Sequence, residues 1–376
     1  MSDIPAASSV SGSADPRVAR RWDETACVRA RNPLQGWLDS QLLFGEVFQA
    51  RLSGAPHRNW LEGLMTRGGV PKGGRWASLG CGAAGEEMGA ARLGLFESLV
   101  GFDASPASLE LARRSTAAEG LHQLTFEPID LDDFTLPPGA FDVILMNMAL
   151  HHVRELPAAL EAVRRGLAPG GALLLNEFVG PRQFQYPEAQ LETVRALLAA
   201  LPESLRRDTA NGVLKRDYAV WPVDFWNQVD PSEAIRSDLI LSEVERRFEI
   251  TVRVDYGGTI LNLLLENIIH NFDSEDEKDA AILRLLAAFE VVLVDSGFLD
   301  SDFTAIVARP LAEAREVPPG GFAPSTRLGE VALASPRGAG AAAREIAALR
   351  AELATMRSSR GWRWLQALRG LVGRRW

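Results

Sequence analysis

From Arg75 to Phe178 the chain alternates between two periodicities. Short apolar runs of strand length (75–79, 98–102, 123–128, 141–147 and 172–178) are set among stretches near 85–94, 106–118 and 155–167 whose apolar residues recur at helical spacing. The apolar runs are bounded by Gly, Pro and Asp, which predicts strands buried on both faces, with helices as the crossover connections. The expected fold class is α/β, a doubly wound parallel sheet with its ligand sites at the carboxyl ends of the strands. Two further runs, Phe248 to Val254 and Phe303 to Arg309, raise the predicted sheet to seven strands. The intervals 187–242 and 259–296 are too long for simple connections. They are mostly helical in pattern (Ile260, Leu263, Leu264, Ile268, Ile269) and are expected to form a helical lid over the strand ends.

The flanks differ from this body. Over 17–75, Trp22, Leu34, Trp37, Leu42, Leu43, Val47 and Phe48 predict a helical preface, punctuated by Pro71, Gly73 and Gly74 before the first strand. Residues 1–16, rich in Ser, Ala and Asp, read as a disordered leader with the apolar core of neither a signal peptide nor an anchor. The main α/β domain with its helical inserts is expected over 76–310, followed by a Pro/Gly/Ala linker over 311–341. In the last segment, 342–376, Ile346, Leu349, Leu353 and Met356 follow a short heptad. Trp364, Leu365, Leu368, Leu371 and Val372 share one face of a basic amphipathic helix.

Charge sharpens that division. From Ala341 onward eight arginines face two glutamates, so this segment carries +6 of a chain total of −9 and the rest carries −15. An acidic body argues against nucleic acid as a partner, and a basic tail suits an anionic membrane surface. Two cysteines, Cys27 and Cys81, are too few for a disulfide framework, so a cytoplasmic setting is expected. No apolar run reaches membrane-spanning length.

The candidate chemistry starts where the first strand ends. Gly80, Gly82 and Gly85 give G-x-G-x-x-G between a strand and a helix, answered about twenty residues on by Asp103, where an acid can accept both ribose hydroxyls. Asp130 follows the third strand, Asn147 ends the fourth with His151 and His152 beyond it, and Glu177 ends the fifth, so all face one crevice in such a fold.

Four ordered segments carry a family resemblance: SLGCGAAG, VGFDASPASLELAR, EPIDLDDFTLPPGAFDVILMNMALHHV and EAVRRGLAPGGALLLNEF. Together they resemble the core of the class I S-adenosylmethionine-dependent methyltransferases, which implies a Rossmann-like seven-stranded fold and S-adenosyl-L-methionine as cofactor. By that resemblance Gly80, Gly82 and Gly85 shape the methionine-binding turn, which includes Cys81, and Asp103 holds the ribose. Asp130 accepts from the adenine amino group with Leu131 beside it, and Asn147 lies under the sulfonium. A narrower likeness is carried by NEFVGPRQFQYP, VDPSEAIRS, DYGGTILNLLLENI and the terminal SSRGWRWLQALRG. These are similar to methyltransferases encoded among glycosyltransferases for bacterial surface polysaccharide. The implied enzyme is an O-methyltransferase for a saccharide or lipid-linked saccharide, peripheral on the inner membrane face through its tail, with glycosyltransferases as further partners. A methyltransferase of a soluble secondary metabolite and a non-catalytic scaffold are the alternatives.

A sugar hydroxyl is a poor nucleophile and benefits from a base. His151 is the first candidate, because an imidazole takes a proton near neutral pH, and Glu177 is the second. Asp230-Pro231 reads as a helix start that sets Glu233 and Arg236 on one face, either paired with each other or over the crevice binding acceptor oxygens. Tyr256, in a Tyr-Gly-Gly-Thr turn after the sixth strand, is a candidate for the acceptor wall. No Cys/His cluster has zinc spacing, and the five histidines are too scattered along the chain to suggest a metal cage.

Overall fold

The computed structural model describes Ser8–Ser9, residues 36–313 and Arg315. The Trp22 and Leu34 part of the preface, most of the linker, and the heptad and basic tail over 342–376 lie outside the described residues. Seven strands build the central sheet: β1 (Arg75–Leu79), β2 (Ser98–Asp103), β3 (Leu124–Pro128), β4 (Phe141–Asn147), β5 (Leu167–Phe178), β6 (Phe248–Gly257) and β7 (Phe303–Pro310). Their spatial order is β3-β2-β1-β4-β5-β7-β6. The first five are parallel, whereas β7 runs antiparallel to both β5 and β6. The order reverses between β1 and β4, so the crevice outside their carboxyl ends is the switch point where ligands bind in such sheets.

Alternate residues of the same strands feed two cores. Trp76, Leu99, Val143 and Leu174 face one side, and Ala77, Val100, Ile144 and Leu173 face the other. Burial on both faces explains the near-continuous apolar runs in the sequence. The helices between strands are α1 (Trp60–Arg67) before β1, α2 (Gly85–Arg92), α3 (Pro106–Ala118) and α4 (Leu156–Gly166). Ser105 caps α3 by accepting from the Ser108 N–H at 3.1 Å, with Pro106 in its first turn.

The preface packs on the lid side of the sheet. A helical run over 41–53, π-helical in its middle, buries Leu43, Phe48 and Leu52 in the same core as the lid. Arg51 donates to the Asp255 carbonyl and to Asp295, and Arg284 grips Glu46 through two hydrogen bonds of 2.7 and 2.8 Å. Within the expected leader, Ser8–Ser9 pairs antiparallel with Phe134–Thr135.

The lid inserts contain α5 (Glu188–Ala200), α6 (Val223–Val229) and α7 (Ile240–Arg247) before β6, and α8 (Leu261–Leu265) and α9 (Glu277–Asp295) before β7. Glu290 of α9 is fully buried and accepts from the N–H groups of Gly258, Ile260 and Leu261 at 2.9, 2.6 and 2.9 Å, capping α8. Gly258 sits at φ +76°, and a Cβ there would strike the Phe303 ring, so this turn requires glycine.

Three expected details differ. The fifth strand begins at Leu167 rather than 172, drawing Pro169-Gly170-Gly171 into the sheet. The sixth continues to Gly257, so Tyr256 lies in a strand rather than a turn. Asp230-Pro231 opens a series of turns instead of a helix, and α7 starts only at Ile240. The cause is local: Asp230 Oδ1 accepts from both the N–H and the hydroxyl of Ser232, an Asx-type turn, and Ala234 takes φ +46°.

Candidate active site

The turn after β1 is held by the sheet itself. The N–H groups of Gly80 and Cys81 both donate to the Phe102 carbonyl at 2.7 and 3.0 Å, which folds the chain back against β2. Gly80 lies at φ +76°, and a Cβ there would collide with the Ala149 side chain. Only glycine permits this turn to nest against the loop after β4. Cys81 is buried, its thiol pushed well up in pKa by burial, which makes it a neutral packing residue beside Gly101. The Gly82 N–H donates to Asp103 Oδ2 at 2.8 Å, and Asp103 Oδ1 accepts from Ser105 N–H at 2.8 Å. The carboxylate at the end of β2 is thereby fixed beside the turn.

Whether this region fits S-adenosylmethionine is tested by its empty space and donor set. A Cβ added at Gly82 or Gly85 would meet nothing within 4 Å, so backbone lines an open cradle. Half-buried Asp103 stands at one rim. Leu131, a contact of any side chain placed at Gly80, stands at the other with half-buried Asp130, whose pKa is raised by desolvation. Amides, one carboxylate at ribose distance along the chain and a second beside an apolar wall suit an adenosyl amino acid. Asn147 closes β4, accepting from Asn176 Nδ2 at 2.8 Å, while Asn176 Oδ1 accepts from the Tyr256 hydroxyl at 2.7 Å. Tyr256 is buried among Trp37, Phe48 and Phe303 and braces Asn147 through Asn176.

Across the crevice, Glu177 is wholly buried at the carboxyl end of β5. Its Oε1 accepts from the backbone N–H groups of Ala149 and Leu150, and its Oε2 lies 2.8 Å from His151 Nδ1. The loop after β4 is thus strapped to β5, and His151 is oriented with Nε2 turned away from Glu177. That Nε2 lies 3.7 Å from Glu233 Oε1, brought in by the lid turn. Burial by itself lowers the imidazole pKa, but Glu177, Glu233 and Asp230 outweigh it and hold His151 above its ordinary value. The His152 ring lies 4.0 Å from His151 by centroids, tilted by 43°, and its Nδ1 lies 3.5 Å from the Ser232 hydroxyl, which donates to Asp230 at 2.6 Å.

The structure brings His151, Glu177 and Glu233 together, with the two histidines as neighbours. Arg236 is half-buried in the same lid turn, where its carbonyl accepts from Leu239 N–H, while Glu233 approaches His151. A chain of rings absent from the sequence-based candidates continues from the imidazole into the lid. Phe178 meets His151 edge-on at 6.3 Å, Phe184 meets Phe178 at 5.1 Å, and Trp226 and Tyr186 follow at 5.1 and 6.1 Å from Phe184. Tyr218 then packs edge-on to Tyr186. The density of aromatics in NEFVGPRQFQYP was the available signal. In the sequence Asp230 reads only as a helix start, and Ser232 carries no signal of its own.

The sheet order is that of the Rossmann-like class I methyltransferase fold, and together with the matches that follow it supports an S-adenosylmethionine-dependent methyltransferase. Residues 77–175 match the family model described as methyltransferase domain. The demethylmenaquinone methyltransferase of Tropheryma whipplei (strain Twist) is 28% identical over 194 residues, 50% of this chain and 77% of that protein. A demethylmenaquinone methyltransferase of Thermus thermophilus is 36% identical over 83 residues, 22% of this chain and 37% of that one. Among solved structures, geranyl diphosphate C-methyltransferase from Streptomyces coelicolor A3(2) aligns with a TM-score of 0.44 at 15% identity, covering 80% of this chain and all (100%) of that one. No helix among the described residues is long and apolar enough to cross a membrane.

Proposed function

We propose that this methyltransferase acts on an oxygen of a small polyhydroxylated acceptor, a saccharide or lipid-linked saccharide, with that oxygen activated at Nε2 of His151. The observation that carries the reading is the Glu177–His151 pair, anchored to two backbone amides and aimed at the lid carboxylate Glu233. S-adenosylmethionine supplies an electrophilic methyl on a sulfonium; transfer to oxygen breaks the carbon–sulfur bond, leaves its electron pair on sulfur and releases the hydroxyl proton.

The remaining work falls to this chain's residues. Gly80, Gly82 and Gly85 shape the cradle, Asp103 receives the ribose hydroxyls, Asp130 and Leu131 flank the base, and Asn147, braced by Asn176, borders the methyl-bearing end. Glu233 and Arg236 receive acceptor hydroxyl and oxygen groups. The ring chain from Phe178 to Tyr218 supplies apolar faces for a sugar ring. Holding acceptor and methyl in line in a site screened by the lid supplies much of the rate. The tail over 342–376, outside the described residues, is the proposed contact with an anionic membrane surface or glycosyltransferases.

A second reading, methylation of a quinone-type ring, is favoured by the demethylmenaquinone methyltransferase relatives and by the same aromatic wall. Incubation with methyl-labelled cofactor and a panel of sugar nucleotides, lipid-linked sugars and demethylquinones separates them. Label on a saccharide oxygen that is lost in His151→Ala, with S-adenosylhomocysteine binding retained, is the expected result. Label on a ring carbon, or on saccharide irrespective of His151, refutes the oxygen reading.

A further inference from the structure

We propose that His151, His152 and Glu233 form a binding site for one divalent first-row transition-metal ion at the acceptor end of the crevice. The inference rests on the reading that the acceptor oxygen is activated at His151, and it makes the ion the activating agent with the imidazole as its ligand.

Three observations converge on it. First, one ligating atom from each of the three side chains lies within 4.8 Å of the other two. The His151 Nε2 to Glu233 Oε1 separation of 3.7 Å is too long for a hydrogen bond. It matches the edge of a coordination polyhedron, since two ligands each about 2.0–2.2 Å from an ion stand about 3–4 Å apart. Glu233 lies on a turn with 22% of its side chain exposed.

Second, the orientation is that of a ligand held from behind. Glu177 engages Nδ1 of His151 and leaves Nε2 as the atom facing Glu233, the carboxylate–histidine arrangement that orients imidazole ligands in metal sites. Asp230 acts on His152 in the same sense through the Ser232 hydroxyl. Both supports come from buried residues, Glu177 and Asp230 being 0% and 3% exposed.

Third, the charge balance favours a dication. Glu177 Oε2 lies 2.8 Å from His151 Nδ1, Glu233 Oε1 lies 3.7 Å from its Nε2, and Asp230 reaches His152 through the Ser232 hydroxyl, against Arg236 in the same lid turn and Arg154 after the loop as the nearby cations in sequence. Two imidazoles and one carboxylate, with positions left open, are a donor set suited to zinc, iron, cobalt or manganese. An ion there offsets the negative charge that develops on the acceptor oxygen as its proton passes to water.

The test uses the full-length protein stripped with chelator and dialysed, then titrated with Co2+ and, separately, Mn2+. Calorimetry gives stoichiometry, and visible absorption (Co2+) or electron paramagnetic resonance (Mn2+) reads the ligand environment. The expected result is one equivalent bound, with affinity reduced at least about tenfold in His152→Ala and in Glu233→Gln and unchanged in His122→Ala. Retained S-adenosylhomocysteine binding certifies that each variant is folded, and Glu233→Gln decides the matter where His152→Ala does not fold. Absence of binding, or binding equal in wild type and variants, overturns the site. That failure leaves the oxygen-methylation reading intact, because label transfer to a saccharide in excess chelator is scored separately. Conversely, site-specific metal binding without any saccharide turnover sustains the site and removes the acceptor reading.

Discussion

Glu177 is the residue on which the loop after β4 hangs, and two substitutions separate its roles. Glu177→Ala removes the acceptor for three buried donors, the N–H groups of Ala149 and Leu150 and Nδ1 of His151. Each buried donor left unpaired costs about 1–3 kcal/mol, so three bound the loss at about 3–9 kcal/mol, and about 3–5 kcal/mol, typical of breaking a buried charged pair and at the lower end of that span, is the expected value. Glu177→Gln keeps one carbonyl oxygen for the two amides and turns an NH2 toward the imidazole. It trades charge-assisted bonds for neutral ones, at about 1–2 kcal/mol. Denaturant unfolding followed by tryptophan fluorescence measures both losses. In nitrogen-15 spectra at a pH where the imidazole is neutral, wild-type His151 carries its proton on Nδ1, whereas in Glu177→Gln it moves to Nε2. Equal destabilisation by the two variants, or an unchanged tautomer in Glu177→Gln, refutes the reasoning.

Further outcomes follow from other parts of the site. Gly80→Ala forces a side chain into Ala149 at a positive φ, and calorimetry should show S-adenosylhomocysteine affinity falling at least about tenfold. Tyr256→Phe removes the hydroxyl that braces Asn176; a loss of about 1 kcal/mol in unfolding, with weaker cofactor binding, is expected, and an unchanged cofactor affinity disproves the brace. Glu87, buried beside Ser78, has its carboxyl pushed up to about 7 by burial from an ordinary 4.5. Because the folded state holds this proton more tightly than the unfolded chain, stability falls as pH rises from about 4.5 to about 7, by about 3 kcal/mol in total. Asp302, pushed up to about 7 in the same way, adds a second slope over that window. Glu87→Gln should remove one proton's share of the slope in unfolding curves taken across it, and an unaltered slope excludes Glu87 as its source.

The parts legible in the sequence are those whose information is local. Strand runs and crossover helices announce themselves because a strand buried on both faces must be continuously apolar. The glycine turn and Asp103 are visible because turn and carboxylate lie at a spacing set by one β-α-β unit. Tyr256 was misplaced because the Gly-Gly after it resembles a turn, whereas here the glycines admit the Glu290 carboxylate and the Phe303 ring. The Asp230 turn looked like a helix cap because both begin with an Asp that accepts amides; the competing Ser232 hydroxyl decides it. Glu233 beside His151 and His152 is a contact between an insert and a strand-end loop. No spacing rule encodes such a meeting, since it depends on how the inserts fold over the sheet.

Helix α6 contains no buried residue, although its Trp226 and Phe225 face other rings. In contrast, α8 and α9 are tied to the sheet by the buried Glu290. The lid is therefore unequal in its tolerance of change. Substitutions across 221–229 alter the outer end of the ring row that reaches His151 through Phe184 and Phe178, without touching the buried residues of either core, so under the proposed function this short segment is where a change of acceptor preference is sought first. A library confined to those positions would sample acceptor range at little cost in stability. The same number of changes around Gly257, Gly258 and Glu290 would return mostly unfolded protein.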